Sequence, residues 1–255
     1  MKLVQPSVKF MFNGPTGEMA YKVIEEMGRT CYKSEDKITE DSAGKFVKML
    51  IARGHLSVLE HVTASLKFIE DRGVSHELVR HRLASYSQES TRYCNYGKAN
   101  EISVINMISV LAENIQNNVP VGSNELIAEA INEVVEIWLE AMTQAELAYM
   151  KLIKLGIRPE IARGVLPTNL KTEVNMTCNL RQWREVFRQR SFYNKAAHPQ
   201  MRVLMTQAFT IMYNLFPVVF EDMVDVVYTN LKQASTMLAD NYKQYLKGAS
   251  NEQKD

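Results

Sequence analysis

The sequence predicts an α+β fold: one helix-rich domain with a central, mostly antiparallel sheet flanked by helices. Three observations carry the expectation. Residues 61–69 and 170–176 each alternate apolar and polar side chains with a period of two, the mark of a half-buried strand. Residues 123–155 repeat apolar side chains at helical spacing over a length that strands do not reach. No internal repeat or low-complexity linker divides the 255 residues, enough chain for one domain with a well-buried core.

Taken in order, Val4, Val8, Phe10 and Phe12 suggest an opening strand that stops at the turn Asn13-Gly14-Pro15. Helices follow at about Glu18–Gly28 and Asp41–Arg53. The second has Thr39, Asp41 and Ser42 as candidate caps and Gly54 as its stop. The first alternating strand then sets Val62, Ala64, Leu66 and Phe68 on one face and Thr63, Ser65 and Lys67 on the other. Ser75 can cap a short helix that runs into Arg80-His81-Arg82, and the polar stretch Ser85–Arg92 reads as a loop. Residues 101–121 read as helical, ending at Asn117-Asn118-Val119-Pro120. The helix over Ser123–Leu155 shows Ile127, Ile131, Val134, Val135, Trp138, Met142 and Leu152, with Gly156 just past its end. After the second strand, helices are expected at about Leu180–Arg190 and Pro199–Leu215. Residues 1–230 are expected to form the single domain. Residues 231–255 form a helical extension whose last residues, Gly248–Asp255, are polar and frayed.

A formal net charge of +1 gives the molecule no overall field to hold nucleic acid or membrane, so any anion site must be local. The three cysteines, Cys31, Cys94 and Cys178, form no Cys-x-x-Cys pair, which argues against a disulfide scaffold or structural zinc. No apolar run is long enough to span a bilayer, and the first residues lack the pattern of a signal peptide. The expectation is a soluble, cytoplasmic protein.

Four segments are rich in groups that bind or react. Residues 80–92, Arg-His-Arg-Leu-Ala-Ser-Tyr-Ser-Gln-Glu-Ser-Thr-Arg, combine planar cationic forks with short hydroxyl and amide groups, a set suited to a phosphorylated ligand. Tyr86 and Tyr93 are available to stack. Three adjacent basic residues alone read more readily as a solvated helix end, and it is the polar loop after them that favours a ligand. His55-Leu-Ser-Val-Leu-Glu60-His61 invites a metal reading, but its histidines are six apart, not the four that place two on one helical face. No metal is expected. In Asn179–Arg190, Arg181, Arg184 and Arg188 lie near one helical face and Arg190 points elsewhere. Glu185 can pair with Arg181 or Arg188, so a surface ion-pair network is the competing reading. Trp183 and Phe187 would be the core anchors. Arg163-Gly-Val-Leu-Pro167 has little specificity alone.

Together these segments resemble flavin-dependent thymidylate synthase. Its signature, Arg-His-Arg, seven residues, then Ser, is matched by Arg80-His81-Arg82 and Ser90, and its extended form by Ser85 and Arg92. His-x-Ser/Thr-x-x-Glu-His is matched by His55, Ser57, Glu60 and His61. Arg-x-x-Leu-Pro is matched by Arg163, Leu166 and Pro167, and Asn-x-Arg with a later Arg by Asn179, Arg181 and Arg190. The four occur in the family's order over roughly residues 30–200.

The resemblance implies reductive methylation of dUMP to dTMP. 5,10-methylenetetrahydrofolate would give the carbon and FAD, reduced by NADPH, the hydride, leaving tetrahydrofolate. It implies dUMP contacts from Glu77, Arg80, Gln88, Ser90, Thr91, Arg92, Arg163 and Arg190. It implies FAD contacts from His55, Ser57, Glu60, Arg80, His81, Arg82, Gln88, Asn179, Arg181 and Glu185. Arg190 is the catalytic candidate, facing the uracil and favouring ionisation at N3. Ser90 resembles a nucleophile but has no adjacent base, and the resemblance gives it a substrate-holding role. Glu77 stands where glutamine is frequent, and a carboxylate there needs a partner such as Arg80. Glu185 stands where a neutral or imidazole side chain is usual. The resemblance further implies a homotetramer with shared active sites. Two other classes stay open on the residues alone: a nucleotide- or RNA-binding protein without catalysis, and a metal-dependent hydrolase built on His55, Glu60 and His61.

Overall fold

The computed structural model describes residues 1–11, 14–118, 124–191, 194, 196–225 and 227. Where the sequence suggests one opening strand there are two, β1 (Lys2–Val4) and β2 (Ser7–Met11), and they join different sheets. The break falls at Gln5-Pro6, since proline has no N–H to give to a ladder. Phe12 and Asn13 lie outside the described residues.

Helices α1 (Gly17–Thr30) and α2 (Ser42–Ala52) pack side by side. Their approach depends on Gly28: a Cβ there would come within 2.7 Å of the Phe46 ring. Of the candidate caps of α2, Asp41 holds the N-cap position without a side-chain bond to the helix, and Ser42 ties the preceding turn instead, its Oγ accepting the Thr39 N–H at 2.9 Å and donating to the buried Glu25 carboxylate at 2.8 Å. Gly54, at φ 75°, ends the segment, as a left-handed stop favours glycine.

A tight helical turn over Leu56–His61 leads into β3 (Thr63–Asp71), followed by α3 (Arg72–Leu78) and β4 (Ser85–Gln88). Two expectations are corrected here. The cap of α3 is Asp71, whose Oδ1 accepts the Val74 N–H at 2.7 Å, while Ser75 sits inside the helix and donates to the Arg72 carbonyl. Asp71 takes the role because it is fixed from its other side, where Oδ2 accepts from Gln200 Nε2 at 2.8 Å and Asn169 Nδ2 at 3.2 Å. And Ser85–Gln88 is strand, not loop, because a neighbouring strand supplies a full ladder opposite it; only the residues after Gln88 turn away.

The 101–121 segment also divides. It begins as β5 (Ser103–Ile105) and becomes α4 (Ile108–Asn118) only after Asn106 accepts the Ile108 N–H. The long helix is α5 (Asn124–Lys154), with Val135, Met142 and Tyr149 buried at seven-residue intervals. A short α6 (Pro159–Ala162) precedes β6 (Lys171–Asn179). Then come α7 (Leu180–Arg190), α8 (Pro199–Leu215) and α9 (Pro217–Phe220). Residues 119–123 and the region beyond Val227, including the expected C-terminal extension, lie outside the described residues.

The main sheet has the order β2-β3-β6-β4, every neighbouring pair antiparallel; β1 and β5 make a separate two-stranded parallel ribbon. β3 and β6 pair along nine residues, from Thr63 opposite Asn179 to Asp71 opposite Lys171. Their apolar face carries Ala64, Leu66, Phe68, Val174, Met176 and Cys178, all buried. Helix α7 covers that face: Trp183 stacks on Phe68 at 6.4 Å and donates its indole N–H to the Ala64 carbonyl at 3.1 Å. Phe187 meets Trp183, Phe209 and Phe220 at 5.4–5.7 Å. A fully buried aromatic in such a cluster contributes about 3–5 kcal/mol against truncation to alanine. A second core, with Ile102, Val104, Met142, Tyr149 and Leu170, lies between the ribbon and α5.

Candidate functional site

The register of β3 against β6 assembles the site. Thr63 opposite Asn179 sets the His55–His61 turn beside the start of α7, and the Leu180 N–H donates to the Val62 carbonyl at 2.9 Å. At the other end, Asp71 opposite Lys171 sets α3 beside Thr168 and Leu170, whose carbonyls accept the N–H groups of Gly73 and Arg72.

Four side-chain contacts then join the four motif segments and α3. Arg181 Nη1 donates to Glu60 at 2.6 Å. Arg163 Nη1 donates to Thr91 Oγ1 at 3.0 Å. Arg190 Nη1 donates to Glu77 at 2.9 Å, and its Nε to His81 Nε2 at 3.2 Å. Each runs between segments that sequence order leaves far apart.

The Arg190 contact fixes the state of His81. A nitrogen that accepts from a guanidinium must be unprotonated, so the proton of the neutral ring is on Nδ1. Burial, and then the adjacent Arg190 charge, lower the His81 pKa to about 4. The backbone under this histidine is tied down by Tyr86, whose hydroxyl lies 2.8 Å from the His81 carbonyl and 2.9 Å from that of Leu78. Tyr86 is therefore an anchor of the motif, not an open stacking surface; Tyr93 is exposed, with the Arg92 guanidinium 5.3 Å from its ring centre.

Glu77 pairs with Arg190 and not with Arg80. The reason is direction: α7 brings Arg190 to the exposed side of α3, whereas Arg80 lies beyond the helix end with its side chain in solvent. Glu185 has Gln189 at 2.5 Å and Arg188 at 3.8 Å, while Arg181 turns to Glu60. Arg184 leaves the expected exposed row. It is 2% exposed, forks onto Asp222 at 2.6 and 2.7 Å and donates to the Val219 carbonyl. Burial would raise the Asp222 carboxyl, but the Arg184 bonds outweigh it and hold the group below the usual carboxylate range.

Asn179 caps α7, its Oδ1 accepting the Gln182 N–H at 2.8 Å. Gln88 turns its amide nitrogen to Ser75 Oγ at 2.9 Å and Thr172 Oγ1 at 3.3 Å. Ser90 Oγ accepts the Arg92 N–H at 3.3 Å; no base contacts it among the described residues. His55, Ser57, Arg80, Arg82 and Arg92 are exposed, and among the described residues no carboxylate pairs with any of these three arginines. Unpaired guanidinium forks beside hydroxyl and amide groups are the donor set that a nucleotide phosphate or a dinucleotide diphosphate requires. The residues present therefore fit both a flavin dinucleotide and a nucleoside monophosphate. Among the described residues no group of three His, Cys, Asp or Glu side chains is arranged to hold a metal ion.

Tyr86 and Ser75 take roles other than the expected ones, holding the motif backbone and Gln88, and two contributors escape the sequence reading: Thr172, which also meets Gln88, and Glu70. Glu70 is fully buried at the end of β3, opposite Thr172, and neither carboxylate oxygen has a hydrogen-bond partner among the described residues. Burial, then Asp71 and Glu77, raise its pKa well above the ordinary value. The one signal for it was its place on the apolar face of an alternating strand.

The sequence pattern of the family described as "Thymidylate synthase complementing protein" matches residues 16–218. The flavin-dependent thymidylate synthase of Mycolicibacterium vanbaalenii is 30% identical over 237 residues, covering 84% of each chain. Those of Pyrococcus furiosus and Pyrococcus abyssi are 31% and 32% identical over 167 and 157 residues, 65% and 61% of this chain. These matches span only 61% and 57% of the two archaeal proteins. Among solved structures, a UMP/dUMP methylase PolB from Streptomyces cacaoi bound with 5-Br dUMP superposes with a TM-score of 0.68 at 24% identity. The superposition covers 87% of this chain and 96% of that one, and the two share a fold.

Proposed function

This chain belongs to the thymidylate synthase complementing protein family, and from that membership we propose that it methylates dUMP to dTMP as a flavoprotein of nucleotide biosynthesis. 5,10-methylenetetrahydrofolate supplies the carbon and leaves as tetrahydrofolate; NADPH reduces the flavin, which is FAD. The observation that carries the reading is the set of three contacts, Arg181–Glu60, Arg163–Thr91 and Arg190–His81, that draw all four motif segments together.

Bound FAD supplies the hydride chemistry. Everything else falls to the chain's own groups. His55, Ser57, Glu60, Arg80, His81, Arg82, Gln88, Asn179, Arg181 and Glu185 line the flavin side. The unpaired forks of Arg80 and Arg82 and the half-exposed Arg181 provide charge for a diphosphate. Arg80, Gln88, Ser90, Thr91, Arg92 and Arg163 hold the nucleotide; the Thr91–Arg163 bond fixes one wall of its phosphate pocket. Glu77 and Arg190 face the base. Arg190 directs N–H groups at the ring where negative charge gathers as N3 loses its proton, which makes C5 the better nucleophile.

The same reading makes residues 1–230 the catalytic unit, with 231–255 as an extension, and makes the active form a homotetramer sharing its sites. Support for self-association comes from the exposed site residues and from Leu126, Ile137 and Leu147, which stand exposed along α5. Cytoplasmic residence belongs to the proposal, supported by three free thiols and by co-substrates that are soluble metabolites. No helix among the described residues is long and apolar enough to cross a membrane.

The test is dTMP formation from dUMP with NADPH, FAD and methylenetetrahydrofolate. Protein that carries flavin and makes dTMP supports the reading. Protein that binds FAD but forms no dTMP refutes the reaction, and colourless protein that takes up no FAD favours a plain nucleotide binder.

A further inference from the structure

The Arg190 guanidinium is held at two points, by a residue in the last turn of α3 and by one just past the end of that helix. Its Nη1 donates to Glu77 and its Nε to His81. Nη2 has no partner among the described residues, and the arginine is about a quarter exposed. His81 is buried, and its backbone is fixed by Tyr86. Glu77 is the movable member, 35% exposed and bonded through only one of its two oxygens. An arginine side chain has four rotatable bonds and a rotamer entropy of about 2 kcal/mol, so its direction is not set by its own backbone. In this pair the direction is set by the acceptors on either side.

We propose that Glu77 is a positioning residue for Arg190: with His81 it locks the guanidinium so that Nη2 is the one group presented to the ligand. This rests on the proposed pyrimidine-nucleotide reading and goes beyond it. An ion pair has little net charge, so Arg190 cannot act mainly through a bare positive field. Its effect on the ring is a directed N–H bond, and a directed bond requires a fixed donor. The acceptor at Glu77 is thus the feature that matters, more than its charge.

The experiment uses flavin-loaded full-length protein as wild type, Glu77→Ala, Glu77→Gln, Arg190→Ala and the Glu77→Ala/Arg190→Ala double variant. Single-turnover dTMP formation and dUMP affinity are measured for each, with thermal melting to confirm folding. Misplacing a reacting group by about 1 Å costs roughly 100-fold, so Glu77→Ala should slow the step by about 10- to 100-fold. Its dUMP affinity should fall by less than the rate does, and Glu77→Gln, whose amide oxygen still accepts, should keep most of the rate. On the Arg190→Ala background, removing Glu77 should change nothing further, since residues acting as one unit are not additive. Additive losses in the double variant, a defect in affinity with the rate intact, or a Gln variant as slow as Ala would each overturn the inference while leaving the dUMP reading in place. Wild type that binds no dUMP would overturn both.

Discussion

Arg181 donates to Glu60 at 2.6 Å, joining residues 121 positions apart, both about half exposed. An exposed pair of this kind contributes at most about 1 kcal/mol to stability. Its position between the His55–His61 turn and the first turn of α7 gives it a different role, holding two ligand-facing segments in register. Arg181→Ala is expected to melt within a degree or two of wild type and yet to purify with much less flavin. The ratio of flavin to protein absorbance measures this, and a fully loaded Arg181→Ala protein would remove Arg181 from the cofactor site.

Arg190→Ala should retain flavin and lose dTMP formation by about 100- to 1000-fold, the cost of one directed donor at a site of developing charge. Arg190→Lys should recover little. A lysine presents a point charge and cannot bond Glu77 and His81 while still offering a third planar donor.

His81 makes stability depend on pH. The unfolded chain takes up a proton near 6.5, whereas the folded chain resists it until about 4. Between those values the unfolded state binds more protons, so stability rises with pH across the window and is complete above it. A displacement of this size corresponds to roughly 3 kcal/mol lost between pH 6.5 and 4. Urea midpoints at pH 7 and 4.5 should differ less for His81→Gln than for wild type. Equal differences would show that His81 is not the responsible group.

Glu70 acts with the opposite sign. Its carboxyl is buried without a hydrogen-bond partner among the described residues and resists ionisation, so the unfolded chain ionises first and stability falls as pH rises above the ordinary glutamate range. Replacement by leucine, similar in volume, should raise stability by about 1–3 kcal/mol at pH 8, with a smaller gain at pH 4.5. A Glu70→Leu protein less stable than wild type at pH 8 would mean that the carboxyl has a polar role in the fold.

Much of this protein is written in short stretches of its sequence. The period of two over residues 61–69 and 170–176 placed both central strands, and the 3.6-residue period placed α5, α7 and α8, because each depends on neighbours two to four positions away. Trp183 and Phe187 were legible as core for the same reason, and the four motifs were legible as ordered text. Tertiary structure decided what those periods do not carry. Ser85–Gln88 became a strand only because β6 lies beside it, and Asp71 became a cap only because Gln200 and Asn169 hold its other oxygen. Arg184 went into the core to reach Asp222, and Glu77 found Arg190 in place of Arg80. An ion pair across more than a hundred residues follows from sheet register and from the direction in which a helix leaves its strand. Those depend on the burial of the whole apolar face, which fixes which charged ends meet.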